Sequence, residues 1–145
     1  MAYSTATDIQ SEFKGTTFSA TSAITSTEVA EFITQTDAMI DAKISNRYTT
    51  PVTSTEALKV LKTISIGFVS KRVANILKVK TGEVSKDQDP KYDDLYSLAK
   101  KMLEDIRKGD LVLSGAALSS SKAGVSSFNV DNDVEHTMKK GIDQW

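Results

Sequence analysis

The chain has 145 residues, 39% of them hydrophobic and 26% charged, with a formal net charge of −1. These are the proportions of one ordinary folded domain, not of a disordered or membrane chain. There is no cysteine, which excludes a disulfide framework and a thiolate zinc site. No apolar run nears the roughly 20 residues needed to span a bilayer, and the first residues lack a leader's basic and apolar regions, so synthesis in a reducing cytoplasm is expected.

A first short helix is predicted over 6–14, with Thr5 as N-cap and Gly15 as its stop. The Thr- and Ser-rich stretch 16–23 reads as a loop. Thr25 and Glu28 then fit a capping box, a hydroxyl and a carboxylate three residues apart that satisfy free amides reciprocally. The helix they start is expected over 26–46, with Val29, Phe32, Ile33, Ile40 and Ile44 on one buried stripe. Pro51 disfavours helical geometry in the residue before it, so the chain turns by Thr50. Thr53 and Glu56 repeat the capping signal for a third helix over 55–79, ending at Gly82. Its two apolar strips, Leu58-Leu61-Ile64-Phe68 and Val69-Val73-Ile76-Leu77, predict a central helix with neighbours on several sides. Gly67 interrupts it at about 1 kcal/mol relative to alanine, which close approach of another helix would explain.

After the charged linker 82–88, Asp89-Pro90 opens a fourth helix. Tyr92, Leu95, Leu98, Ala99, Met102, Leu103 and Ile106 give it the cleanest periodicity in the chain, and Lys108-Gly109 closes it. The fold class is therefore all-α, a small bundle of about four helices. Ile40, Leu61, Ile64, Phe68, Leu95, Leu98 and Met102 are the expected core, and Phe68→Ala is expected to cost about 3–5 kcal/mol. Beyond residue 113 the chain is polar and rich in small residues. The domain division is a helical domain, 1–113, and an extended C-terminal arm, 114–145. Phe128, Val130, Met138, Ile142 and Trp145 are its anchors, and the bundle is expected to fold without anything after Gly115.

Charge is unevenly distributed. Residues 51–80 carry six cations against Glu56 alone, while 1–50 carry three cations and six acids. At about 100° per residue, Lys59, Lys62, Lys71, Arg72, Lys78 and Lys80 fall all around the third helix. That favours solubilising charge over a phosphate-tracking stripe. The single histidine, His136, stands beside Glu135, and with no second histidine and no cysteine a metal site there would need an all-carboxylate partner set. The adjacent acidic pairs Asp93-Asp94 and Glu104-Asp105 point about 100° apart. No phosphate loop or nucleophile elbow occurs. An enzyme is not expected, and no catalytic residue, cofactor or metal is assigned. Tyr3, Tyr48 and Trp145 are candidate interface anchors, although packing over the helix turn is the commoner fate for Tyr48.

The opening Tyr3-Ser4-Thr5…Asp8-Ile9 and the stretch Ile40-Asp41-Ala42…Arg47-Tyr48…Pro51 are followed by the long apolar helix and the periodic helix ending at Lys108-Gly109. Together they resemble the head–tail connector (adaptor) proteins of tailed bacteriophages, especially the Mu-like group. The resemblance covers about residues 1–113. It implies a structural virion protein of the neck, a helical subunit that joins others in a ring, typically of twelve copies, below the portal protein. Such a ring extends the DNA channel and presents a platform for a neck, stopper or tail completion protein. DNA would only pass through, and no membrane is involved. The candidate interface residues are Lys71 and Arg72, paired across subunits with acidic segments, and the five arm residues named above. The competing reading is a small helical DNA-binding regulator, against which stand helices too long for a compact helix–turn–helix.

Overall fold

The computed structural model describes residues 2–82 and 89–119. Four helices follow one another as α1 (Ala6–Glu12), α2 (Ser26–Ile44), α3 (Thr55–Lys80) and α4 (Asp89–Lys108). The two N-terminal starts have the predicted chemistry. Thr5 with Asp8 and Thr25 with Glu28 each form a complete capping box, so their free amides are satisfied by side chains one turn away. At α3 the expected Thr53–Glu56 box does not form. Ser54 is the N-cap and makes no side-chain cap bond. Its hydroxyl instead donates to the Ser114 carbonyl at 2.7 Å, while Glu56 pairs with Lys59. The hydroxyl is directed to a long-range carbonyl and accepts from no amide of its own helix.

The central helix is α3, which packs against α1, α2 and α4. Gly67 lies where α3 meets α4. A Cβ there would stand 2.7 Å from both Ala99 Cβ and the Leu95 carbonyl oxygen, closer than packed atoms tolerate. The glycine's helix cost is offset by a closer α3–α4 approach. At the far end of α4, Gly109 adopts φ +100, a conformation that side chains resist, and the Arg47 guanidinium lies where its side chain would be.

Two apolar clusters flank α3. One gathers Ile40, Ile44, Tyr48, Leu61, Ile64, Leu103, Ile106 and Leu113. The other gathers Ile9, Phe13, Phe18, Ile24, Val69, Val73, Leu77 and Tyr92. Of the expected core, Ile40, Leu61 and Ile64 are fully buried, whereas Phe68, Leu95 and Met102 are only partly so. Leu98 is 48% exposed, contrary to expectation. The helix α4 lies mainly along α3, so only the narrow stripe Tyr92, Ala99, Leu103 and Ile106 is buried, and Leu98 projects well off that stripe. Replacing half-covered Phe68 therefore costs less than the 3–5 kcal/mol of a fully buried ring.

The chain does not leave the bundle at residue 113. Leu113 is buried, and its N–H donates to the Tyr48 hydroxyl at 3.1 Å. Tyr48 and Leu118 form an isolated antiparallel bridge. It is held by Thr49 N–H to the Ala117 carbonyl at 2.8 Å and Ser119 N–H to the Arg47 carbonyl at 2.9 Å. Residues 114–119, assigned to the arm by composition, are thus a strap on the α2–α3 connection, which contains the cis Thr50–Pro51 peptide. A cut after Gly115 would remove both bridge bonds. The arm anchors Phe128, Val130, Met138, Ile142 and Trp145 lie outside the described residues.

Candidate functional site

The six cations of 51–80 are where their helical angles put them, all around α3, and each has a partner. Lys62 pairs with Asp8 of α1 at 2.8 Å, Lys71 with Asp93 of α4 at 2.5 Å, and Lys59 with Glu56 at 2.9 Å. Lys80 donates to the Ala23 carbonyl, and Lys78 is also engaged. Arg72 is different. Its Nη1 donates to the Gln35 side chain at 2.7 Å, and its guanidinium lies 3.9 Å from the centre of the Phe32 ring. Lys71 and Arg72, adjacent in sequence, therefore serve opposite flanks of α3. Much of the basic surplus of α3 meets its acidic neighbours inside one subunit.

Arg72 belongs to a surface that runs across three helices. On α2, Phe32, Gln35, Met39 and Lys43 follow at intervals of three, four and four and share a face. On α3, Phe68 lies one turn before Arg72. From α4, Tyr96 meets Phe68 edge-on with ring centres 5.4 Å apart, and Lys100 follows one turn later. Met39 and Tyr96 are each 38% exposed. Aromatic residues, methionine and arginine are the types enriched at protein interfaces, and the stacked, hydrogen-bonded guanidinium is already fixed in place. Phe32, Met39, Phe68 and Tyr96 were not singled out as site residues from the sequence. The signal was there in their helical spacing, but it cannot be told from a core stripe until α4 is placed.

A second polar constellation is internal. Tyr3 N–H donates to Asp37 Oδ2 and Ser65 Oγ to Asp37 Oδ1, both at 2.8 Å. Ser4 then donates to Ser65 at 2.9 Å, and the Tyr3 hydroxyl donates to Asp41. Tyr3 is buried, so it clasps α2 to the N-terminal segment and is not an interface anchor. Tyr48 is buried too, as packing over the turn predicts. Desolvation pushes the Asp37 carboxyl above the usual range, the Tyr3 N–H and Ser65 bonds opposing it. The Tyr3 hydroxyl is raised by burial and by Asp41.

Two surface hollows lie among the described residues. One, of about 500 Å³, lies between the 14–24 loop and the end of α3 and is lined by Thr16, Thr21, Ser22 and Leu77 among others. The other, of about 260 Å³, is bounded by Ala2, Thr34, Asp37, Ala38 and Asp41. Neither brings a nucleophile to a base, and among the described residues no three His, Cys, Asp or Glu side chains are placed to hold a metal. No helix among them is long and apolar enough to cross a membrane.

A family model described as Bacteriophage Mu, Gp36 matches residues 3–130. The chain therefore belongs to that family, a Mu-like bacteriophage family. No curated protein and no solved structure matches it.

Proposed function

We propose that this member of the bacteriophage Mu Gp36 family is a head–tail connector subunit of the virion neck. It assembles with its own copies into a ring, with twelve as the expected number, seats on the portal protein and receives a stopper or tail completion protein. The observation that carries this reading is the Phe32–Arg72–Phe68–Tyr96 surface. It is a preorganised, partly exposed aromatic and cationic patch on the bundle. The arm, with Phe128, Val130, Met138, Ile142 and Trp145, supplies the second contact element. A ring built from unlike surfaces needs two such elements per subunit, and many weak contacts become strong together through effective concentration. DNA passes through the ring and is not read. The DNA-binding regulator finds no support in α3, whose cations are dispersed and internally engaged.

The test is native mass measurement of the full chain with and without portal protein. A ring of defined copy number on portal supports the connector role. A species that stays monomeric with portal and shifts only with duplex DNA overturns it.

A further inference from the structure

On α4, Leu98 is 48% exposed, and Leu95 and Met102 on its flank are only half buried. At about 100° per residue, Asp94, Lys101 and Asp105 all fall within about 60° of Leu98. The four make one stripe along about three turns. Tyr96 lies about 160° away around the helix, so this stripe is separate from the Phe32–Arg72–Phe68–Tyr96 surface.

The charges of the stripe are unspent. Asp93 pairs with Lys71 and Glu104 with Arg107. Asp94 and Lys101 are exposed, and neither forms an ion pair among the described residues. They cannot serve each other. Seven residues separate them by about 10.5 Å along the axis, beyond the three- and four-residue spacing at which helical side chains meet.

That arrangement is complementary to itself turned end for end. A twofold axis between positions 97 and 98 brings each Asp94 level with the other copy's Lys101. The two Leu98 side chains then sit about 1.5 Å apart in height and cover each other, with small Ser97 beside them leaving room. Farther out, Lys91 comes level with the other copy's Glu104 and next to its Asp105. Lys91 already holds Glu12 of its own subunit at 2.7 Å, so the two Asp94–Lys101 pairs set the register. Parallel packing would oppose like charges at both positions, which selects against it.

We infer that α4 pairs with α4 of a second copy of this chain, antiparallel, about a twofold axis beside Leu98. Three turns of one helix bury less than the roughly 1,200 Å² of a stable interface. The pair is therefore weak and reversible, with a dissociation constant on the order of 100 µM. A twofold contact closes on itself and cannot alone build a ring, so the inference does not depend on the connector reading.

The test uses the full chain without portal protein, in sedimentation velocity from about 10 µM to 1 mM, a range that brackets the expected constant. The parent should pass from monomer to dimer. Asp94→Lys and Lys101→Glu each set like charges against each other at both ends of the contact, and each should weaken the dimer at least about tenfold. The double variant restores opposite charges and should return to within about threefold of the parent. All three changes lie at exposed helix positions, and circular dichroism should be unchanged. The chain has no cysteine, so Leu98→Cys gives a second reading. It should form a disulfide between copies at least about tenfold faster than Val79→Cys, 86% exposed at the end of α3. A parent that stays monomeric to 1 mM, a dimer indifferent to the single reversals, a double variant no better than either, or equal disulfide rates would each overturn the inference.

Discussion

At the end of the bundle around Ile9, Phe13, Phe18 and Tyr92, residues 9–24 wrap the second half of α3. They close with a stack of Phe13 on Tyr92, ring centres 4.7 Å apart, and Phe18 edge-on to Phe13 at 5.8 Å. At the opposite end the apolar residues are aliphatic, and the closing contacts are the hydroxyls of two buried tyrosines. Tyr48 receives the Leu113 N–H and Tyr3 bonds to Asp41. Rings tolerate several packings, whereas a buried hydrogen bond left unmade costs the desolvation of its partner. The aromatic end gains its stability from area, while the tyrosine end gains register. Register is what three segments distant in sequence need where they meet.

The largest effect belongs to the aromatic end. Phe13→Ala should cost about 3–5 kcal/mol in urea unfolding followed by circular dichroism. A loss below about 1 kcal/mol would show that the stack is decoration and erase the contrast. Tyr48→Phe sharpens the other side. It removes an acceptor without emptying volume and leaves the Leu113 N–H unpaired, for about 1–3 kcal/mol. Hydrogen exchange should quicken selectively at Leu113 and Ser119, and the α1 amides should be untouched. Uniformly faster exchange would mean that the strap and the bundle open as one unit.

The smallest effect is electrostatic. Asp37 has its carboxyl raised by desolvation. Between the ordinary value and the raised one the folded state therefore binds more protons than the unfolded state, and stability falls as pH rises through that window. Glu28 is lowered by the Thr25 backbone and side-chain bonds. Asp8 is lowered by Lys62 and Thr5 against its own desolvation. For both, stability is instead lost as pH falls through the lowered value. Asp37→Asn should remove only the first trend, so the variant gains on the parent as pH rises from about 4 to 7 in melting-temperature series. A difference that stays constant across the series would show that Asp37 does not titrate differently in the fold.

The four helices were legible because each has local signals. Capping boxes begin α1 and α2, Pro90 opens α4, and glycines with positive φ follow α3 and α4 at Gly82 and Gly109. The reason for Gly67 was legible as well. Three features were not. Ser54 gives its hydroxyl to Ser114 instead of its own helix, and local sequence holds no trace of a partner 60 residues away. Phe18 and Ile24 are buried from within a Ser/Thr loop, because the wrap over α3 is set by tertiary packing and not by period. The three-helix patch needed the placement of α4, since a half-exposed ring and a core ring have the same spacing. Its one residue named in advance, Arg72, came from counting charge.

The bridge between Tyr48 and Leu118 has a mechanical consequence. A pull on the chain beyond Ser119 does not act directly on α4. It meets first the Ser119–Arg47 bond, then Thr49–Ala117, then the Ser54 and Tyr48 hydroxyls holding Ser114 and Leu113. These ties lie in succession, so the load peels them singly and each yields at low force before the next is engaged. The strap acts as a strain relief. It can pay out about six residues, close to 20 Å when extended, while the α3–α4 packing at Gly67 stays unloaded.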